Sequence, residues 1–145
     1  MRNLVIGLIL AFLAASSGCG GGPQLAPVKG RVLYNEKPLP FGSVMFQPAS
    51  GQPARATIRT DGSFVLGTFG AADGATVGPN RVRVTCFEAQ NPEAANGGSG
   101  GEMPLGKSLI PKQYTQYDTS GLKVDVPPEG NDTVELRLTG PELPN

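Results

Sequence analysis

Val28-Lys29-Gly30-Arg31-Val32-Leu33-Tyr34, Gly42-Ser43-Val44-Met45-Phe46-Gln47-Pro48 and Thr60-Asp61-Gly62-Ser63-Phe64-Val65-Leu66 decide the fold. In the first, Val28, Gly30, Val32 and Tyr34 share a face opposite Lys29 and Arg31. In the second, Val44 and Phe46 share a face opposite Ser43 and Gln47. A period of two between apolar and polar side chains is the pattern of a half-buried strand. Asn35 to Pro40 reads as a turn between the first two runs. Asp61-Gly62 reads as a hairpin turn, because both residues tolerate the positive φ that tight hairpins require.

The pattern continues outward from this block. Ala54, Ala56 and Ile58 oppose Arg55, Thr57 and Arg59 in a weaker strand. Asn80 to Ala89 is the clearest strand, with Val82, Val84 and Cys86 opposite Arg81, Arg83 and Thr85. Leu122, Val124 and Val126 form another, and Val134, Leu136 and Leu138 a last one. Phe69 to Pro79 is a Gly-rich connection with a second turn at Asp73-Gly74. Residues 90–106 are small, polar and Gly-rich and are expected to form a mobile loop, since they bury too little to offset ordering. Ile110 to Tyr114 is a short ordered return. Residues 140–145 are expected to fray. Seven short strands and no amphipathic helix predict an all-β, seven-stranded β-sandwich over residues 28–139.

Composition narrows the function. The 145 residues carry 12 basic and 12 acidic side chains, with 21 Gly and 14 Pro. A balanced charge argues against a nucleic-acid partner, which needs a basic excess to displace counterions. The chain contains no His, so Ser-His-Asp and Cys-His arrangements are excluded.

The N-terminus carries an address. Arg2 precedes an apolar run from Leu4 to Ala15, too short for a membrane span and suited to a secretory signal. Ser16-Ser17-Gly18-Cys19 follows, and this stretch resembles a bacterial lipobox, although Ser16 stands where Leu is usual. The resemblance implies cleavage after residue 18 and a diacylglycerol on the Cys19 thiol. Residues 1–18 are then the signal peptide, and 19–27 a lipidated Cys and flexible tether containing Gly20-Gly21-Gly22-Pro23. Two acyl chains hold a protein stably where one does not. The mature chain has a net charge of about −1, so it would not be drawn to anionic lipid by charge. The expected address is extracytoplasmic and membrane-anchored.

The order and spacing of Val28-x-Gly30-x-Val32, Lys37-Pro38-Leu39, Gly42-x-Val44-x-Phe46 and Thr60-Asp61-Gly62-Ser63-Phe64 resemble the carboxypeptidase regulatory-like domain. Asp73-Gly74-Ala75, Gly78 to Val84, Ile110-Pro111-x-x-Tyr114 and Gly130-Asn131 extend the likeness to small bacterial lipoproteins with this domain. The resemblance implies a transthyretin-like (prealbumin-like) sandwich and an accessory role in folding, spacing or contact. The enzymes with this fold, the hydroxyisourate hydrolases, rely on His, which this chain lacks.

Candidate site residues are few. Cys86 lies on an apolar strand face, where a thiol is inert. Asp61 and Asp73 have oxygens that suit calcium, but both precede Gly and no Asp-x-Asp-x-Asp spacing occurs. Arg55 with Arg59, and Arg81 with Arg83, suit carboxylate or phosphate, or form an ordinary solvated strand face. Tyr114 and Tyr117, beside the long loop, are the candidate ligand or partner surface, although Tyr114 also suits packing under Ile110-Pro111. No catalytic residue, cofactor or metal is expected. The leading expectation is a non-catalytic, lipid-anchored envelope module that meets other proteins. The alternative is a carbohydrate or small-molecule binder using residues 90–117, and an exposed edge strand offers a third mode of contact.

Overall fold

The computed structural model describes residues 22–93 and 105–144. The signal peptide expected over 1–18, Cys19, and residues 94–104 of the loop expected over 90–106 lie outside the described residues. The described chain is all-β, with short 3-10 turns at Glu88–Gln90 and Lys112–Thr115. None of its helices is long and apolar enough to cross a membrane.

Ten strands occur among the described residues, and those of three or more residues are β2 (Val28–Tyr34), β4 (Gly42–Pro48), β5 (Ala54–Ile58), β6 (Ser63–Val65), β8 (Gly78–Thr85), β9 (Leu122–Val126) and β10 (Asn131–Leu138). Three two-residue pieces accompany them: β1 (Leu25–Ala26), β3 (Lys37–Pro38) and β7 (Ala75–Thr76). One sheet places β2 between β10 on one side and β3 and β6 on the other. The other is antiparallel in the order β5-β4-β8-β9. β1 and β7 form a small ribbon. The first long strand and the last, β2 and β10, pair in parallel, with Val32 opposite Leu136. Parallel neighbours need a long crossover, and here nearly the whole chain serves as one.

Alternation explains the packing. Every second residue of β4, from Gly42 to Pro48, is buried. Val28, Val32, Phe64 and Leu136 of one sheet join Val44, Phe46, Val82 and Val84 of the other in a shared core. Phe46 and Phe64 meet across it with ring centroids 6.2 Å apart and a tilt of 56°, a favourable aromatic geometry. Phe64 lies opposite Gly30 in the ladder. A Cβ at Gly30 would stand 2.7 Å from Phe64 Cζ and 2.3 Å from Val134 O. Gly30 is therefore a packing residue in the middle of a strand, not a turn.

The turns follow the sequence chemistry in part. Gly62 has φ +79, and Asp61 Oδ1 accepts from Ser63 N–H at 2.9 Å. Between β2 and β3 the chain turns at Asn35 and Glu36, with φ 49 and 65. That is the type I′ geometry of a two-residue hairpin, formed here without glycine.

The structure departs from the sequence reading at three boundaries. The expected tether over 19–27 is ordered at its end: Leu25 pairs with Thr76, Ala26 is buried, and Val77 N–H donates to Gln24 O. The tail from 140 does not fray at its start. Asn35 exchanges two hydrogen bonds with Gly140, at 2.9 and 3.0 Å, and Tyr34 donates to Pro141 O at 2.7 Å. Leu143 also packs on the core. The strand expected over Asn80 to Ala89 runs instead from Gly78 to Thr85, after which Phe87 bridges Ser108 and a 3-10 turn begins.

Candidate functional site

The two tyrosines of the sequence reading part company. Tyr114 is 7% exposed and belongs to the core. Its hydroxyl oxygen accepts from Thr139 N–H at 3.2 Å, which lowers its pKa. The 3-10 turn at Lys112–Thr115 points it inward, so it offers no platform to a ligand. Tyr117 remains at the surface, half-buried, with the Arg83 guanidinium 5.0 Å and the Arg81 guanidinium 6.0 Å from its ring centroid. Cations over an aromatic face are attracted by its quadrupole.

Those arginines belong to a larger surface. β4 lies between β5 and β8, and Met45 is opposite both Arg55 and Arg83. Adjacent strands are about 4.8 Å apart, so Arg55, Met45 and Arg83 form one row across the outer face. Two residues along, Gln47, Arg81 and Lys123 form the next row. Arg83 Nε and Nη2 lie 3.3 and 3.0 Å from Met45 Sδ. The thioether carries no charge, so it positions the guanidinium and leaves it cationic. Arg81 pairs with Asp118 at 2.5 Å. Arg55 and Arg83 have no carboxylate within salt-bridge distance among the described residues.

Loop 67–74 walls one side of this face. Asp73 fastens it by accepting three backbone N–H groups: Thr68 at 2.6 Å, Phe69 at 3.0 Å and Gly70 at 2.8 Å. The Thr68 bond comes first among the causes that lower the Asp73 pKa. Ala72 takes φ 62 to close the turn. The loop leaves Phe69 66% exposed. It encloses a groove of about 650 Å³ against β4 and β5, lined by Met45, Arg55, Thr57, Arg59 and Phe69. At the other end Gln90 folds back from its 3-10 turn. Its Nε2 donates to Ser43 Oγ at 2.9 Å, and its Oε1 accepts from Phe87 N–H.

This face holds both arginine pairs read from the sequence, and of the two tyrosines only Tyr117. Phe69 and Met45 were missed. Phe69 had a local signal, an aromatic beside Gly70 in a polar turn. Met45 had none, because its role depends on two neighbouring strands. Asp61 Oδ1 accepts from Ser63 N–H, and both oxygens of Asp73 accept local N–H groups. Cys86 is fully buried, and burial pushes its thiol up to about 11. It is protonated at neutral pH and out of reach of a substrate. The described residues contain no group of three or more His, Cys, Asp or Glu placed to hold a metal.

No family model, no curated protein and no solved structure matches this chain.

Proposed function

We propose that the protein is a non-catalytic, lipid-anchored β-sandwich of a bacterial envelope, held by a diacylated Cys19. It acts as an interaction module through the outer face of β5-β4-β8-β9. The observation that carries the contact surface is the row Arg55–Met45–Arg83, two guanidinium groups without carboxylate partners among the described residues, flanked by exposed Phe69 and by Tyr117. Guanidinium groups without a carboxylate partner suit carboxylates, and aromatic rings add contact area at little entropic cost. The partner is therefore a carboxylate-bearing chain of the envelope.

The strands of three or more residues, in the orders β5-β4-β8-β9 and β10-β2-β6, support a transthyretin-like sandwich of the carboxypeptidase regulatory-like kind. The absence of His from the sequence and the buried, protonated thiol support a role without catalysis. The burial of Tyr114 favours this face over the 90–117 segment as the contact.

Titration with polyglutamate and with polygalacturonate tests the proposal, with a neutral glycan as control. Binding to one acidic polymer but not to the neutral glycan is expected, weakening as salt rises. The paired change Arg55→Glu with Arg83→Glu should reduce it at least about tenfold, as two contacts each worth over about 1 kcal/mol would require. Binding to neither polymer, or binding indifferent to the paired change, contradicts the assignment.

A further inference from the structure

In an antiparallel ladder, alternate residues turn their backbone N–H and C=O groups toward one neighbour and then the other. Two prolines set the phase in β5-β4-β8-β9. Pro48 lies opposite Asn80, and Pro79 lies opposite Asp125. Neither has an N–H to give. Both fit if Asn80 and Val82 face β9 while Arg81 and Arg83 face β4. Ser120 Oγ donates to Val82 O at 2.5 Å from the β9 side, which agrees. So does the far edge, where Arg55 exchanges two backbone hydrogen bonds with Gly67, at 2.9 and 3.0 Å. On β9, Leu122, Val124 and Val126 therefore turn to β8, and Lys123 and Asp125 turn their backbone groups outward.

The two edges of this sheet are thus treated differently. Gly67 covers β5 at Arg55. The outward groups of Lys123 and Asp125 have no partner among the described residues. Their side chains are exposed on the outer face, and neither is in an ion pair with another described residue. Lys123 stands opposite Arg81, a like charge, which is unfavourable in a cross-strand pair.

We infer that β9 pairs antiparallel with β9 of a second copy of this chain, about a two-fold axis at Val124. In this register Lys123 lies opposite the partner's Asp125, and Asp125 opposite the partner's Lys123. Both rungs carry outward-facing backbone groups, so the ladder closes. Val124 meets its own copy, and the half-buried Leu122 and Val124 gain cover. Sliding by two residues one way puts Lys123 opposite Lys123. Sliding the other way puts Asp125 opposite Asp125 and sets Pro127, which has no N–H, opposite Lys123. The charges and the proline leave one register. The other open edge, β10, offers no such free charge pair, since Arg137 is already bound to Glu135 and Glu36, and a bulge interrupts its ladder with β2 between Asn131 and Val134. The paired sheets form one eight-stranded surface with two arginine rows. This pairing stands apart from the acidic-partner reading, and loss of polymer binding would leave it untouched.

Sedimentation of the full chain in detergent, with charge exchange at the edge, tests it. The wild-type chain should dimerise. Lys123→Asp alone and Asp125→Lys alone should each weaken the dimer at least about tenfold, since each turns two attractive pairs into two repulsive ones. The double exchange, Lys123→Asp with Asp125→Lys, should restore it. A monomer at concentrations on the order of 100 μM, or a dimer that both single changes leave unaltered, overturns the pairing.

Discussion

Asp73 shows how much one side chain can organise. Its two oxygens take the N–H groups of Thr68, Phe69 and Gly70, which fixes the loop that presents Phe69. Those bonds favour the ionised form and hold its pKa below the usual carboxylate value. The folded value lies under the unfolded one, near 3.9. The stabilisation is therefore complete above that unfolded value and is lost as pH falls through the folded one. Amide exchange protection at Thr68, Phe69 and Gly70 should decline below about pH 4, while the core strands keep theirs. Asp73→Asn should remove this acid step and lower protection at neutral pH. Protection that stays flat through the acid range would show that the carboxylate does not hold the loop. The sequence revealed Asp73 as a turn residue, because Asp before Gly is a local signal. It could not reveal which amides the carboxylate gathers, since Thr68 lies five residues back.

At the scale of elements, β2 carries the most. It is flanked by β10 on one side and by β3 and β6 on the other, and Gly30 lets Phe64 and Val134 approach its backbone. Gly30→Ala should cost about 1–3 kcal/mol, because backbone and ring must both shift. Urea unfolding measures this, with Gly22→Ala as a control, since an added Cβ there meets nothing within 4 Å. Equal stability for the two variants would refute the packing role of Gly30. The all-β character was legible from alternation, which is a local property, whereas the two-residue strands β1, β3 and β7 were read as tether, turn and connection. Which strands are neighbours was not legible. The parallel pairing of β2 with β10 joins residues about a hundred positions apart, and no periodicity reports it. The same limit hid the Arg55–Met45–Arg83 row, which exists only once three strands are in register. Tyr114 and Tyr117 looked alike in sequence; the 3-10 turn at Lys112–Thr115 buries the first and leaves the second at the surface.

At the scale of the molecule, the proposed anchor would hold a β body with a cationic face. Five peptide units separate Cys19 from Gln24, whose carbonyl is already bound to Val77. Such a span reaches at most about 18 Å, so the body would work close to the lipid surface. The arginine row and the open edge of β9 belong to one sheet, which the loop at Phe69 borders, so contact and self-pairing would share a surface. The intact mass of the N-terminal peptide, from protein extracted from bacterial membranes, tests the anchor directly. The expected peptide begins at Cys19 and carries a thioether-linked diacylglycerol. A peptide that reads through Ser17-Gly18-Cys19, or one that begins at Cys19 with a free thiol, would contradict it.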